Sequence, residues 1–138
     1  MTFDQHEAEQ FLSEPHVGVL AVEAISGPPA AVPLWYSYAP GAEVLLITAP
    51  ESRKARLLHR SGRATLVVQT VQPRTRYVSV ELELLRSQPA TDADVRAMAS
   101  RYVPAEALEG YLEFAAANLR EDLYRFNPTK WRFADFTV

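Results

Sequence analysis

The chain has 138 residues, of which 48% are hydrophobic and 22% charged, and its formal net charge is −3. This length and balance predict a single globular domain, 1–138, with enough apolar residues for a core that needs no disulfide bonds. The absence of cysteine excludes disulfides, catalytic thiols and cysteine-ligated metal sites, and no apolar run approaches the roughly 20 residues of a membrane-spanning helix.

In chain order, the sequence predicts a short helix, three strands forming a meander, a helix, two strands, two helices and a final β segment. A capping box at 2–5 begins the first helix, Gly62 ends the second, and Thr91 and Pro104 begin the last two. The fifth strand alternates most cleanly, with its apolar residues on one face: Val78, Val80, Leu82 and Leu84. The predicted strands span 17–22, 31–38, 44–48, 64–69, 78–84 and 123–136 with a break at 127–128; the predicted helices span 2–12, 51–61, 91–102 and 104–119.

Short strands dominate this pattern, and one helix is inserted between the third and the fourth strand. Such an order favours a mainly β fold with flanking helices, namely a small closed or nearly closed antiparallel barrel of six to seven strands. The strict strand–helix alternation of a dinucleotide-binding Rossmann sheet is missing, and the sequence contains no G-x-G-x-x-G.

The charge is distributed unevenly along the chain. The window 52–80 contains none of the 17 acidic residues but seven of the 14 basic ones: Arg53, Lys54, Arg56, Arg60, Arg63, Arg74 and Arg76. For any single arginine a solvated helix face is the simpler explanation. The cluster as a whole favours an anionic partner.

The first turn of the second predicted helix is a candidate phosphate site. A buried strand ends at Thr48, and the helix begins at about Ser52, where free N–H groups and a partial positive charge suit a phosphate. Arg53 and Lys54 add full positive charges that the helix dipole disfavours, so a nearby anion would explain them. The alternative is an incidental basic first turn.

A second candidate feature is the run 32–36 in the second strand. Pro33 lacks an N–H, so it belongs at a strand edge or a bulge, and Trp35 and Tyr36 beside it would form a flat apolar slot for a planar heterocycle. The alternative is that both aromatic rings belong to the barrel core. The three histidines are scattered without metal-ligand spacing, so we expect no metal site.

With these residues in place, the order of features resembles the FMN-binding split-barrel family that includes pyridoxamine 5'-phosphate oxidase. The resemblance is closest to actinobacterial members that bind FMN or the deazaflavin coenzyme F420. It covers nearly the whole chain, and the matching stretches are 17–21, 31–36, 48 with 52–55, 62–66, 77–81 and 127–131. The residues that bind pyridoxal phosphate in the true oxidase have no counterpart here, so that oxidation is not predicted. Leu82 stands where relatives usually have glycine, and this larger residue would either narrow the pocket or shift what binds there.

The resemblance implies a set of cofactor-binding residues, residue by residue. Along the flavin or deazaflavin ring it places Pro33, Leu34, Trp35 and Tyr36. At the ring edge or ribityl chain it places Ile47 and Thr48, and at the phosphate Ser52, Arg53 and Lys54. It also implies a homodimer with the cofactor between the subunits, so that Gln69 and the region around Trp131 reach the partner's cofactor.

The function expected from this resemblance is an FMN-dependent or, alternatively, F420-dependent oxidoreductase that acts on a small organic substrate by hydride transfer. The second reading is a non-catalytic flavin or tetrapyrrole carrier on the same barrel. Nucleic acid is not an expected partner, because the basic and aromatic run 130–133 belongs to an acidic chain. The acidic, polar N-terminus is unlike a secretory signal, which predicts a cytoplasmic protein.

Overall fold

A computed structural model describes residues 4–136 of the chain. Six strands and four helices follow one another in the order α1 (Gln5–Ser13), β1 (Gly18–Val22), β2 (Ala30–Leu34), β3 (Val44–Thr48), α2 (Arg53–Ser61), β4 (Arg63–Thr70), β5 (Arg76–Pro89), α3 (Asp92–Ser100), α4 (Ala105–Asn118) and β6 (Asp122–Asp135). Within 4–136, no helix is long and apolar enough to cross a membrane.

The six strands form one antiparallel sheet in the order β2-β1-β4-β5-β6-β3. An isolated bridge between Ser37 and Leu45 brings the two edges of the sheet together, because Ser37 follows β2 and Leu45 lies in β3. The sheet is therefore curled into a split barrel with helices at its margins. This confirms the predicted fold class.

Alternation along the central strands produces the barrel core. Leu20, Leu66 and Val80 lie on the inward faces of β1, β4 and β5, and none of them is exposed. Burying a side chain of this size stabilises the fold by about 1.5–3 kcal/mol relative to exposure. Helix α1 packs against this core with Phe11 and Leu12, which are also buried.

Helix ends follow the local sequence closely. The Ser52 hydroxyl accepts a hydrogen bond from the Ala55 N–H at 3.2 Å, so Ser52 is the N-cap of α2, and Gly62 ends that helix in the left-handed region at φ 72°. Thr91 caps α3 through a capping box with Asp94, which confirms the predicted start. The capping box predicted at 2–5 lies partly outside the described residues, and α1 is capped instead by the Asp4 carboxylate.

Two local predictions are only partly right. The predicted turn from the second strand into the third is present as the antiparallel bridge between Ser37 and Leu45, but β3 pairs along its whole length with β6, a neighbour that was not predicted. The break predicted at 127–128 is a bulge within a continuous β6, where the pairing with β5 shifts register between Glu81 and Leu82. Pro128 is tolerated at this shift, since a bulge does not require its missing N–H.

Candidate functional site

The N-terminus of α2 follows directly from the end of β3. Thr48, the last residue of β3, is buried with 6% of its surface exposed, and it pairs with Asp122 of β6. Four residues later, Ser52 caps the helix and satisfies the N–H of Ala55. The other N–H groups of the first turn have no acceptor inside the helix, as at any helix start. The buried end of β3 and the capped start of α2 therefore lie next to each other.

The first turn of α2 is basic and contains no acidic residue. Among residues 4–136, neither Arg53 nor Lys54 has an ion-pair partner within 4.0 Å. Two unpaired cations therefore sit at the positive end of the helix dipole, a combination that an anion would stabilise.

The side chains of Arg53 and Lys54 face different surroundings. Arg53 is exposed and lines a shallow groove of about 410 Å³ together with Arg56 and Arg60. Lys54 is partly buried, and its charge acts on Glu121, whose pKa burial raises and Lys54 lowers. Adjacent helix positions are about 100° apart, so two cations can flank a ligand at the helix start from two sides.

Trp35 and Ile47 are brought together beneath the hairpin of α3 and α4. The Trp35 ring stacks on Tyr102, with centroids 4.9 Å apart and planes 6° apart, and lies 5.6 Å from the Tyr111 ring. Trp35 and Ile47 both line a cavity of about 120 Å³. These two predicted site residues, one after β2 and one in β3, thus share one surface.

Tyr36 belongs to the core, as the second explanation of this run proposed. Its side chain is fully buried, and its hydroxyl lies 2.6 and 3.0 Å from the carbonyl oxygens of Leu12 and Glu14. Burial raises the pKa of this phenol. Its main-chain oxygen accepts hydrogen bonds from the Arg101 guanidinium and the Tyr102 hydroxyl. Other residues of the chain therefore already form hydrogen bonds with the polar groups of Tyr36.

Strand alternation separates the remaining predicted residues. Pro33 is exposed on the outward face of β2, while Leu34 packs toward the core. Gln69 is exposed on β4, whereas Trp131 lies opposite Val80 and packs against the core and against Tyr38, with ring centroids 5.6 Å apart. Consecutive strand residues point to opposite faces, so the side chains of Pro33 and Leu34 lie on opposite faces of β2.

Comparison with known proteins identifies the family. The profile of the pyridoxamine 5'-phosphate oxidase family matches residues 4–135. The chain belongs to this family. No curated protein matches the sequence significantly.

Solved structures with this family's barrel resemble the chain in fold. One, described as an F420 reductase, has a TM-score of 0.71 at 19% identity and covers 90% of this chain and 94% of its own. A conserved hypothetical protein from Mycobacterium tuberculosis has a TM-score of 0.70 at 20% identity, covering 98% and 86%. A FAD-binding protein from Mesorhizobium loti has a TM-score of 0.63 at 20% identity, covering 98% and 95%. At these identities the likeness shows the fold alone.

Sequence reasoning missed Glu121, which lies beside the predicted site of this family member. It is partly buried, near Lys54, and lines the cavity that holds Trp35 and Ile47. Its position just before β6 carries no motif. The pairing of Thr48 with Asp122 brings it there, and the sequence alone gave no sign that β3 and β6 are neighbours.

Arg101 and Tyr102 were also missed as residues that position the site. The Arg101 guanidinium donates to the carbonyl oxygen of Tyr36 at 3.0 Å, and the Tyr102 hydroxyl accepts from the Tyr36 N–H at 3.2 Å. The face of Tyr102 carries Trp35. The periodic apolar pattern of the predicted helix 91–102 includes Tyr102, so a packing role was visible in the sequence, but its hydrogen bonds were not.

Proposed function

We propose that the chain is an oxidoreductase that binds FMN, or alternatively coenzyme F420, and acts on a small organic substrate by hydride transfer. The observation that carries this proposal is the capped start of α2, where Arg53 and Lys54 lack ion-pair partners within residues 4–136. Both cofactors contain a phosphate group that would compensate these charges. The descriptions of two structural neighbours as an F420 reductase and a FAD-binding protein support the same class of cofactor.

Under this proposal the chain's residues bind and orient the cofactor. Ser52, Arg53 and Lys54 hold the phosphate, while Ile47 and Trp35 contact the ring system from the side of the helical hairpin. The cofactor supplies the hydride chemistry when bound, and the apolar surface around Trp35 excludes water from it.

The proposal also includes a second copy of the chain, packed against the sheet. On the outward face of the sheet, Pro33, Val19 and Val67 lie side by side in register, and Val19 is 41% exposed. An apolar row of this kind favours burial against another protein surface. We therefore include a homodimer in the proposal, with the sheet face as its interface.

The dimer is tested by light scattering after size exclusion. We expect the native chain to be a dimer and Val19→Glu to be a monomer with weakened cofactor binding, because a carboxylate would be buried in the interface. Val71→Glu is the matched control, since Val71 is 60% exposed in the connection between β4 and β5. A native chain that elutes as a monomer contradicts the proposed interface.

The cofactor is tested by the absorbance spectrum of the purified protein before and after titration with FMN and with F420. We expect one of them to bind with a shifted spectrum. If neither binds, the proposed function is rejected.

Catalysis is tested by stopped-flow mixing of the cofactor-loaded protein with NAD(P)H, or of the F420H₂-loaded protein with electron acceptors. An oxidoreductase turns over with some acceptor. A bound cofactor that never changes redox state would instead favour the non-catalytic carrier.

A further inference from the structure

A second cavity adjoins the surface that holds Trp35 and Ile47. It measures about 380 Å³ and lies beneath the α3–α4 hairpin, against the end of β5 and the start of β6. Its apolar wall includes Val95, Leu112, Ala115 and Leu119. The two cavities share Val95 and Glu121 as lining residues, so they border one another directly. Together they have the volume of a site for a small organic molecule.

The charges around this joined cavity are mostly negative. Arg96 is neutralised by Glu109, whose two carboxylate oxygens accept from the guanidinium at 2.8 and 3.3 Å. The other charged lining residues are Asp92, Glu113 and Glu121, and within 4–136 none of them has an ion pair within 4.0 Å. Lys54 lies near Glu121 but forms no ion pair with it within 4.0 Å, and the three carboxylates outnumber this one cation, so the cavity complements a cation rather than an anion.

Glu121 stands where the two cavities meet, and its carboxylate has no hydrogen-bond donor within residues 4–136. Partial burial of a carboxylate without a donor is unfavourable, and a charged N–H donor from a ligand would compensate it. The apolar wall formed by Val95 and Leu112 would hold the rest of such a ligand.

We propose that the joined cavity binds a small apolar amine, with its ammonium group on Glu121 and its apolar body beneath the α3–α4 hairpin. A catalytic role for the bound amine rests on the proposed function, because the cavity borders Trp35 and Ile47, where the cofactor ring is proposed to lie. It makes apolar amines the substrate class of that site.

The test is calorimetric titration of the full-length chain, with and without saturating FMN or F420, using three probes of similar shape: 2-phenylethylamine, 2-phenylethanol and 3-phenylpropanoate. We expect the amine to bind at least tenfold more tightly than the alcohol, and the carboxylate to bind least. Glu121→Gln should remove the preference for the amine and leave the affinity for the alcohol unchanged. Glu106→Gln is the matched control, because Glu106 is exposed on α4 and does not line the cavity.

A second variant tests the location by shape. Ala116 is exposed at the edge of the cavity, so Ala116→Phe should fill the cavity without disturbing the core and abolish binding of the amine and the alcohol alike. The inference is overturned if the three probes bind equally or not at all, if Glu106→Gln matches Glu121→Gln, or if Ala116→Phe binds the amine normally.

Cofactor titration on the same samples separates the two proposals. Amine binding that depends on Glu121, in a chain that binds neither FMN nor F420, rejects the redox function but not the amine site.

Discussion

The start of α2 and the junction around Tyr36 differ in how far the chain satisfies its own polar groups. At the junction, the Tyr36 hydroxyl, N–H and carbonyl all have partners, supplied by α1, Arg101 and Tyr102. At the start of α2, Ser52 satisfies one N–H, while Arg53 and Lys54 have no ion-pair partner within residues 4–136.

The difference separates positions that hold the fold together from positions that are available to a ligand. A buried polar group that is fully bonded stabilises the fold, and it has no remaining capacity for a ligand. Unpaired cations at a helix start contribute little or unfavourably to the fold until an anion arrives. The two candidate regions of the sequence therefore differ in how many polar groups they leave available to a ligand.

The largest expected effect is a loss of cofactor affinity caused by a change at the start of α2. Lys54→Glu replaces an attraction for the cofactor phosphate by a repulsion, and we expect the affinity for FMN or F420 to fall about 100-fold, equal to about 2.7 kcal/mol. Fluorescence or absorbance titration measures the change.

Arg60→Glu is the control for Lys54→Glu, because it makes the same charge change in the last turn of the same helix. Six residues of helix separate the two positions by about 9 Å, close to the screening length at physiological ionic strength. An equal loss in both variants would mean that the basic window acts as a diffuse field, and would contradict a phosphate site at the helix start.

A change at the junction around Tyr36 should instead lower the free energy of unfolding. Tyr36→Phe removes a buried hydroxyl and leaves the carbonyl oxygens of Leu12 and Glu14 without this donor, so we expect the free energy of unfolding to fall by about 1–3 kcal/mol. Urea denaturation measures it. Tyr77→Phe is the control, since Tyr77 is 37% exposed, and it should change little. If cofactor affinity fell in Tyr36→Phe while stability did not, Tyr36 would belong to the site after all.

The sequence predicted local features well because their causes are local. The Ser52 cap, the left-handed Gly62 and the alternation of β5 depend on residues within one or two turns of each other. The main partner of β3 was not predicted, because its pairing with β6 joins residues about 74 to 82 positions apart and no short-range pattern specifies it. Glu121 was missed for the same reason, since only that pairing carries it to Trp35 and Lys54.

The cap of α2 offers a smaller and more local test. Ser52→Ala removes the hydrogen bond from the Ala55 N–H, and we expect a loss of about 1 kcal/mol of stability together with a several-fold weaker affinity for the cofactor. Thr91→Ala removes the cap of α3 at a similar cost in stability, but it should leave cofactor binding unchanged. Equal affinities for the cofactor in the two variants would show that the Ser52 hydroxyl does not contact the phosphate.

The smallest expected effects are the opposite pH responses of two carboxylates. The Tyr38 hydroxyl donates to Glu9 at 2.6 Å and holds the pKa of Glu9 below its usual range, so this stabilisation is present at neutral pH and is lost as pH falls through the lowered pKa. Burial instead raises the pKa of Glu121, so its contribution favours the fold at low pH and is lost as pH rises through the raised pKa.

In urea denaturation from pH 3.5 to 7, we expect Glu9→Gln to be less stable than the native chain at pH 7 and to approach it in acid. Glu121→Gln should be relatively more stable at pH 7 and lose this advantage in acid. Parallel curves for the two variants would contradict the distinction between a carboxylate that the chain has bonded and one that it leaves for a ligand.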